Sequence, residues 1–288
     1  MKFVEYREGG RRGLAVEDAS GALRGRREGD PAYPGSLASL IAGGASALAE
    51  AGRALAGGGE IDLAAVEVLP PLAAPGKIIC VGLNYREHAA ESNVAPPAFP
   101  TIFSRFASSL IGHGAPLVRP RRSTQFDFEG ELVAVIGLGG RHIPPAAALD
   151  HVAGYSVFND GSVRDIQLRT SQWTMGKNFD GTGAFGPAFV TADVLPAGAR
   201  GLRIVTRLNG VVVQDASTDD LIFDIATLVA EISGAMTLCP GDVIVTGTPS
   251  GVGMARTPPL FMKDGDVCEV EIEGIGLLRN PVRDEAGA

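Results

Sequence analysis

FDFEGELVAVIG, residues 126–137, decides how this chain is read. Apolar residues dominate from Phe126 to Ile136, so the stretch reads as a buried strand closed by Gly137. Glu129 and Glu131 are two apart in it. Side chains at that spacing share one face of a strand, so both carboxylates project into one space, with Asp127 beside them and Val133 and Val135 following on the same face. Adjacent carboxylates at the mouth of a core repel each other and lose hydration unless a cation or a proton neutralises them. A bound metal is one remedy, and a strand end whose acids sit in water is the other.

A third acid follows in GYSVFNDGSVRDIQ, residues 154–167, where an apolar strand from Tyr155 to Phe158 gives way at Asn159-Asp160-Gly161. Asp160 fits an Asx turn or a further ligand equally. Three carboxylates without clustered His or Cys make a hard, oxygen-rich set that suits Mg²⁺, Mn²⁺ or Ca²⁺ better than zinc. Arg164 and Gln167, three residues apart, share a face if the chain turns helical after Asp160, and can then grip a substrate carboxylate and carbonyl. The alternative is a solvated helix surface. WTMGK, residues 173–177, adds Lys177 in a glycine-flanked, weakly charged setting, either a solvent-facing lysine or a cation aimed at oxyanion charge.

Two more stretches carry chemistry. In CVGLNYREHAAESN, residues 80–93, a strand end yields to a polar helix on which His88 and Glu91 face each other. A carboxylate beside an imidazole raises its basicity and fixes its orientation, which suits activation of a water. TGTPSGVG, residues 246–253, is glycine-rich after a strand but lacks the lysine of a phosphate-binding loop. Its backbone N–H groups and the Thr248 hydroxyl remain candidates for binding a carboxylate. GTGAFG, residues 181–186, matches a dinucleotide fingerprint by letter only. No apolar strand precedes it and Pro187 blocks the helix that must follow, so it is expected to be a flexible loop.

At 288 residues, 45% hydrophobic and 20% charged, the chain describes a globular protein able to bury a substantial core. A formal net charge of -8 argues against nucleic-acid and anionic-membrane surfaces, although Arg119, Arg121 and Arg122 form a local basic turn. No apolar run reaches the roughly 18 residues that would span a bilayer, and the opening MKFVEY reads as a charged strand, so a cytoplasmic location is expected. The three cysteines, Cys80, Cys239 and Cys268, are too scattered for a disulfide framework or zinc knuckle and are expected to be buried hydrophobes.

Residues 1–72 are expected to form a small α/β domain. They carry strands near Phe3–Tyr6 and Leu14–Val16, then a helical pattern over Leu37–Leu55 interrupted at Gly43-Gly44. Residues 73–288 are expected to be mainly β. Asn209-Gly210 marks a hairpin before Val211, and a helix beginning at Ile225 has Asp224 as its N-cap and leads to a strand at Val243–Val245.

Taken in order, CVGLNYREHAAE, FSRFASSLIGHGAPL, FDFEGELVAVIG, GYSVFNDGSVRDIQ, WTMGKNFDGTGAFGP and PGDVIVTGTPSGVG resemble the fumarylacetoacetate hydrolase family from about Lys77 onward. The resemblance implies an α+β fold, with a mixed β-roll or sandwich-like catalytic domain beside a small α/β N-terminal domain, and a homodimer. It makes Glu129, Glu131 and Asp160 ligands of Mg²⁺ or Mn²⁺, places Arg164, Gln167, Lys177 and Thr248 in the substrate pocket, and makes His88 and Glu91 a lid-helix dyad. Arg105 stands where the family commonly has lysine, a charged substrate contact with altered geometry. The expected substrates are 2-oxo acids or 1,3-diketones, processed through a metal-stabilised enolate. C–C hydrolysis of acylpyruvate- or fumarylacetoacetate-like compounds is favoured. Hydroxymuconate-type isomerisation, oxaloacetate-type decarboxylation and oxo-enoate hydration are the alternatives, and a non-catalytic ligand-binding protein is the reading from another class.

Overall fold

Along the strand Gly130–Ile136 successive side chains enter two different cores, and the fold is arranged around that fact. Leu132, Ala134 and Ile136 join a cluster that includes Ile204, Val270 and Leu278, whereas Val133 and Val135 join one that includes Leu37, Leu48 and Leu55. A strand covered on both faces is apolar throughout. The computed structural model describes residues 1–91 and 97–287.

The larger sheet has twelve strands among the described residues. At its centre Gly130–Ile136 lies antiparallel between Val152–Asp160 and Val243–Val245, and the latter runs parallel to Ile78–Gly82. A five-stranded sheet, built on the hairpin Arg203–Leu208/Val211–Ser217 and on Val267–Ile272 and Gly276–Asp284, covers one face. The helices Leu37–Ala42 and Gly44–Ala56 cover part of the other. This is an α+β fold. Gly130 permits the two sheets to meet: a Cβ there would lie 2.2 Å from Thr206 Oγ1 of the second sheet. The hairpin turn has Asn209 at φ 54° and Gly210 at φ 78°, and Asp224 caps the helix Ile225–Ala235 by accepting the Thr227 N–H.

Four expectations change. FDFEGELVAVI is not one continuous strand: Phe126–Asp127 pairs with Ser162–Val163 in a separate ribbon, and the main strand starts at Gly130 opposite Asn159. Residues 1–72 do not stand apart. Lys2–Glu8 pairs with Gly183–Thr191 of the larger sheet, and Phe3 shares a core with Phe158 and Phe185, because a strand so apolar needs covering on both sides. The segment 181–186 is not a flexible loop, since Gly183 opens a fully buried strand. A Cβ on Gly183 would come within 2.8 Å of the Arg105 guanidinium, so the glycine makes room for that side chain. Finally, Cys80 and Cys268 are buried but Cys239 is exposed, in the turn where its N–H donates to Asp242. Among the described residues no helix is long and apolar enough to cross a membrane.

Candidate active site

Asp160 ends its strand and Glu131 sits in the neighbouring one, opposite Phe158, while Glu129 lies just ahead of Gly130. Strand pairing therefore brings the three acids together. One carboxylate oxygen from each lies within 4.8 Å of the others, and all three residues are buried. Cations surround them. Lys177 Nζ donates to Glu129 Oε2 at 2.5 Å and to Asp160 Oδ2 at 2.6 Å. Arg164 Nη1 lies 2.7 Å from Glu129 Oε1, and Arg164 Nε donates to Asp127 Oδ2 at 2.8 Å.

The electrostatics follow from this distribution. Burial acts to raise Glu129, but Lys177 and Arg164 outweigh it and hold the carboxyl well below the usual range. Glu131 receives one N–H, from Gly247 at 2.6 Å, and burial together with Asp160 and Glu129 pushes it well up. Burial disfavours the Lys177 ammonium, yet Asp160 and Glu129 reverse that and keep it charged. Four buried carboxylates, counting Asp127, thus face three buried cations, Arg105, Arg164 and Lys177. With all four ionised the cluster is one positive charge short, and the rise of Glu131 is the response to that shortfall. A divalent ion held by Glu129, Glu131 and Asp160 would supply that charge and leave a net positive pocket, so the oxygen-only donor set fits such an ion.

Beside these acids lies a cavity of about 230 Å³, lined in part by His88, Arg164, Gln167, Lys177, Thr248 and Trp173. Arg164–Gln167 and Thr174–Lys177 are short helices, and Gly176 lets them close up, since a Cβ there would lie 2.4 Å from Gln167. Arg164 Nη1 donates to Gln167 Oε1 at 3.0 Å, which leaves the Gln167 amide N–H groups for a ligand. Phe103 and Trp173 form an edge-on pair at 5.4 Å, and Lys177 Nζ lies 5.0 Å from the Phe103 ring centroid.

His88 and Glu91 lie on the helix Arg86–Glu91, with Nδ1 and Oε2 3.2 Å apart. Burial acts to raise Glu91, but hydrogen bonds from His88 and from the Gly251 N–H more than offset it. An ionised Glu91 accepts a hydrogen bond from Nδ1–H and holds the ring in that tautomer, so the lone pair of Nε2 is free to act as a base. Ser92 and Asn93 of the sequence motif lie outside the described residues.

His88, Glu129, Glu131, Arg164, Gln167, Lys177 and Thr248 line the cavity, Asp160 joins them through the acid cluster and Glu91 through His88, whereas Arg105 lies behind Asp160. Its guanidinium is turned to the back of Asp160, donates to that carboxylate and to Thr182 Oγ1, and lies 5.6 Å from the Phe158 ring centroid. Arg105 therefore orients an acid where a substrate contact was expected. The glycine loop also differs from expectation. The N–H groups of Gly247, Gly251 and Gly253 are taken by Glu131, Glu91 and Asp127 of the protein itself, and Thr248 is the residue of the loop that lines the cavity.

Sequence reasoning missed Asp127 as an anchor. It accepts from Gly253, Met254 and Arg164, joining the glycine loop to the arginine, and its place in FDFEGE is the signal that was available. It also missed Asn159, whose Oδ1 accepts the Glu129 N–H at 3.1 Å.

Residues 77–283 match the family model described as fumarylacetoacetate (FAA) hydrolase C-terminal. A mitochondrial oxaloacetate tautomerase of Rattus norvegicus is 43% identical over 257 residues, spanning 88% of this chain and 81% of the relative. Among solved structures, a fumarylacetoacetate hydrolase from psychrophilic Exiguobacterium antarcticum superposes with a TM-score of 0.86 at 37% identity, covering 99% of this chain and 100% of that one. A 5-carboxymethyl-2-hydroxymuconate delta-isomerase from Mycobacterium smegmatis does so with a TM-score of 0.77 at 31% identity, covering 100% of both. With the acid cluster and the strand order already in place, this chain belongs to the fumarylacetoacetate hydrolase family of enzymes.

Proposed function

We propose that this protein is a divalent-metal-dependent tautomerase or isomerase of short 2-oxo dicarboxylates, with oxaloacetate the first substrate to test. The observation that carries the reading is Arg164. Its Nη2 is buried without an acceptor among the described residues, while Nε and Nη1 are engaged, and the side chain lines the cavity beside the acid triad. An unpaired buried guanidinium N–H is costly, and a substrate carboxylate relieves it. The names of the rat tautomerase and the mycobacterial isomerase support the same class of chemistry.

A divalent ion bound by Glu129, Glu131 and Asp160 would supply Lewis-acid polarisation of the 2-oxo group. The chain's own residues do the rest. Arg164 holds a carboxylate, and the Gln167 amide and Thr248 hydroxyl fix the orientation of the substrate. His88 Nε2 takes a proton from the carbon next to the carbonyl, and its return to the carbonyl oxygen completes a keto–enol exchange. Lys177 keeps a fixed positive charge beside the acids and, having two donors committed, offers its third N–H to developing oxyanion charge.

Hydrolysis of acylpyruvates, the activity favoured from sequence, is the second reading. The same His88–Glu91 pair suits activation of a water, and the Exiguobacterium structure bears the hydrolase name. Enol-enriched oxaloacetate and an acylpyruvate, each with Mg²⁺ or Mn²⁺, separate the two: loss of enol absorbance without pyruvate formation is the expected result. His88→Ala should slow that exchange about 10²–10⁴-fold and leave metal affinity unchanged. Acylpyruvate cleavage with no acceleration of oxaloacetate tautomerisation reverses the order of the two readings. Inactivity on both sets of substrates returns the chain to the ligand-binding class.

A further inference from the structure

We infer that Gln214 is a positioning residue that sets the hydrogen-bond polarity of Thr248 and so makes this pocket select an acceptor group on the substrate. The inference rests on the reading above that Thr248 meets the substrate. Gln214 belongs to the second sheet and is 2% exposed. Strand alternation alone does not bring it inward. In the pairing of Arg203–Leu208 with Val211–Ser217, Thr206 is opposite Gln214 and Arg207 is opposite Val212, which leaves Val213 as an extra residue. That bulge turns both Val213 and Gln214 into the protein.

Its amide has one possible orientation. Oε1 accepts the backbone N–H of Gly130 at 3.0 Å, between the two glutamates, and a backbone N–H can only donate. Nε2 then faces Thr248 Oγ1 at 2.8 Å and the Pro249 carbonyl at 2.9 Å, and a carbonyl can only accept. Partners at both ends exclude the flipped amide. Thr248 Oγ1 is therefore an acceptor toward Gln214, and its own O–H is free to donate. Thr248 is 4% exposed and lines the cavity, and among the described residues no acceptor takes that proton. The hydroxyl presents a donor to the bound molecule, which must offer a carboxylate, carbonyl or enolate oxygen at that point. A substrate with a hydroxyl or amine donor there meets an unmatched pair.

One side chain thus ties the backbone between Glu129 and Glu131 to the loop that carries Thr248. The same loop delivers the Gly251 N–H to Glu91.

The test uses steady-state kinetics on oxaloacetate with the metal-loaded protein. Gln214→Met and Gln214→Leu both remove the donor to Thr248 and put an apolar side chain of similar bulk in its place. Each should raise KM about tenfold, with kcat changed less than threefold and Mn²⁺ affinity unchanged. Thr248→Val should raise KM to the same degree, Thr248→Ser should restore wild-type KM, and the Gln214→Met/Thr248→Val double variant should be no worse than either single one. Wild-type KM in both Gln214 variants, or losses that multiply in the double variant, overturns the positioning role. Wild-type KM in Thr248→Val instead overturns the substrate contact itself, whatever the Gln214 variants do.

Discussion

Glu129 in the cavity wall and Glu5 in the N-terminal layer are buried alike, 5% and 4% exposed, yet their surroundings drive the two carboxyls in opposite directions. Glu129 meets an ammonium and a guanidinium and is held far down. Glu5 has the Leu37 N–H at 2.7 Å on one oxygen, no hydrogen-bond partner among the described residues on the other, and is pushed up to about 7 by burial. Burial alone therefore does not distinguish an acid of the candidate site from one in the structural core. What distinguishes them is how charge is distributed nearby: around Glu129 the cations are numerous and still one short, and around Glu5 hydrogen bonding is meagre.

Removing the acid tests the functional side most severely. Glu129→Gln takes one candidate ligand from the triad and removes the carboxylate that Lys177 and Arg164 share, breaking two buried ion pairs. Turnover of oxaloacetate should fall below detection together with Mn²⁺ binding followed by electron paramagnetic resonance. Breaking such a buried pair should also cost about 3–5 kcal/mol of metal-free stability by urea denaturation. Intact metal binding in this variant would remove Glu129 from the ligand set and reduce its contrast with Glu5 to one of ion pairing.

Removing the cation sharpens the same contrast. Lys177→Met leaves Glu129 and Asp160 facing each other without the ammonium that bridges them. The metal-free variant should lose about 3 kcal/mol or more. Added Mg²⁺ should return more stability to the variant than to the wild type, since the ion replaces the missing positive charge. Equal Mg²⁺ effects on the two proteins would show that the lysine and the ion do not share a charge-balancing role.

The part of this arrangement readable from sequence is the part encoded locally. Glu129 and Glu131 converge at the start of the strand as their spacing of two suggests, Arg164 and Gln167 meet because of helical spacing, and Asn209-Gly210 turns because both positions accept positive φ. Arg105 was misplaced for the opposite reason. Whether a long cation meets the substrate or the back of Asp160 depends on the space left by Gly183, which lies 78 positions away in the chain and is adjacent only once the sheet has formed. Gln214 is invisible in the same way, because a bulge that breaks the alternation has no marker in Val-Val-Val-Gln. The union of residues 1–72 with the rest was hidden too, since pairing of Lys2–Glu8 with Gly183–Thr191 leaves no trace in either strand alone.

Glu5 gives the smallest expected effect and the one whose sign depends on pH. Its folded-state pKa is raised from 4.5 to about 7, first by burial, against the lowering influence of the Leu37 N–H and of Arg12. Below pH 4.5 the carboxyl is protonated in both folded and unfolded chains, and the site carries no penalty. Between that pH and about 7 the unfolded chain ionises first and draws the equilibrium toward unfolding. Above 7 the full penalty stands, on the order of 3 kcal/mol at about 1.4 kcal/mol per pKa unit. Glu5→Gln keeps an oxygen for the Leu37 N–H and removes the ionisation, but buries an amide NH₂ where Oε2 now lacks a partner, at a cost of about 1 kcal/mol. The variant should therefore be about 2 kcal/mol more stable than wild type at pH 8 and slightly less stable at pH 4.5, measured by urea denaturation across that range. A difference that stays constant with pH would mean that Glu5, like Glu129, is held ionised by its surroundings, and the contrast between the two acids would be lost.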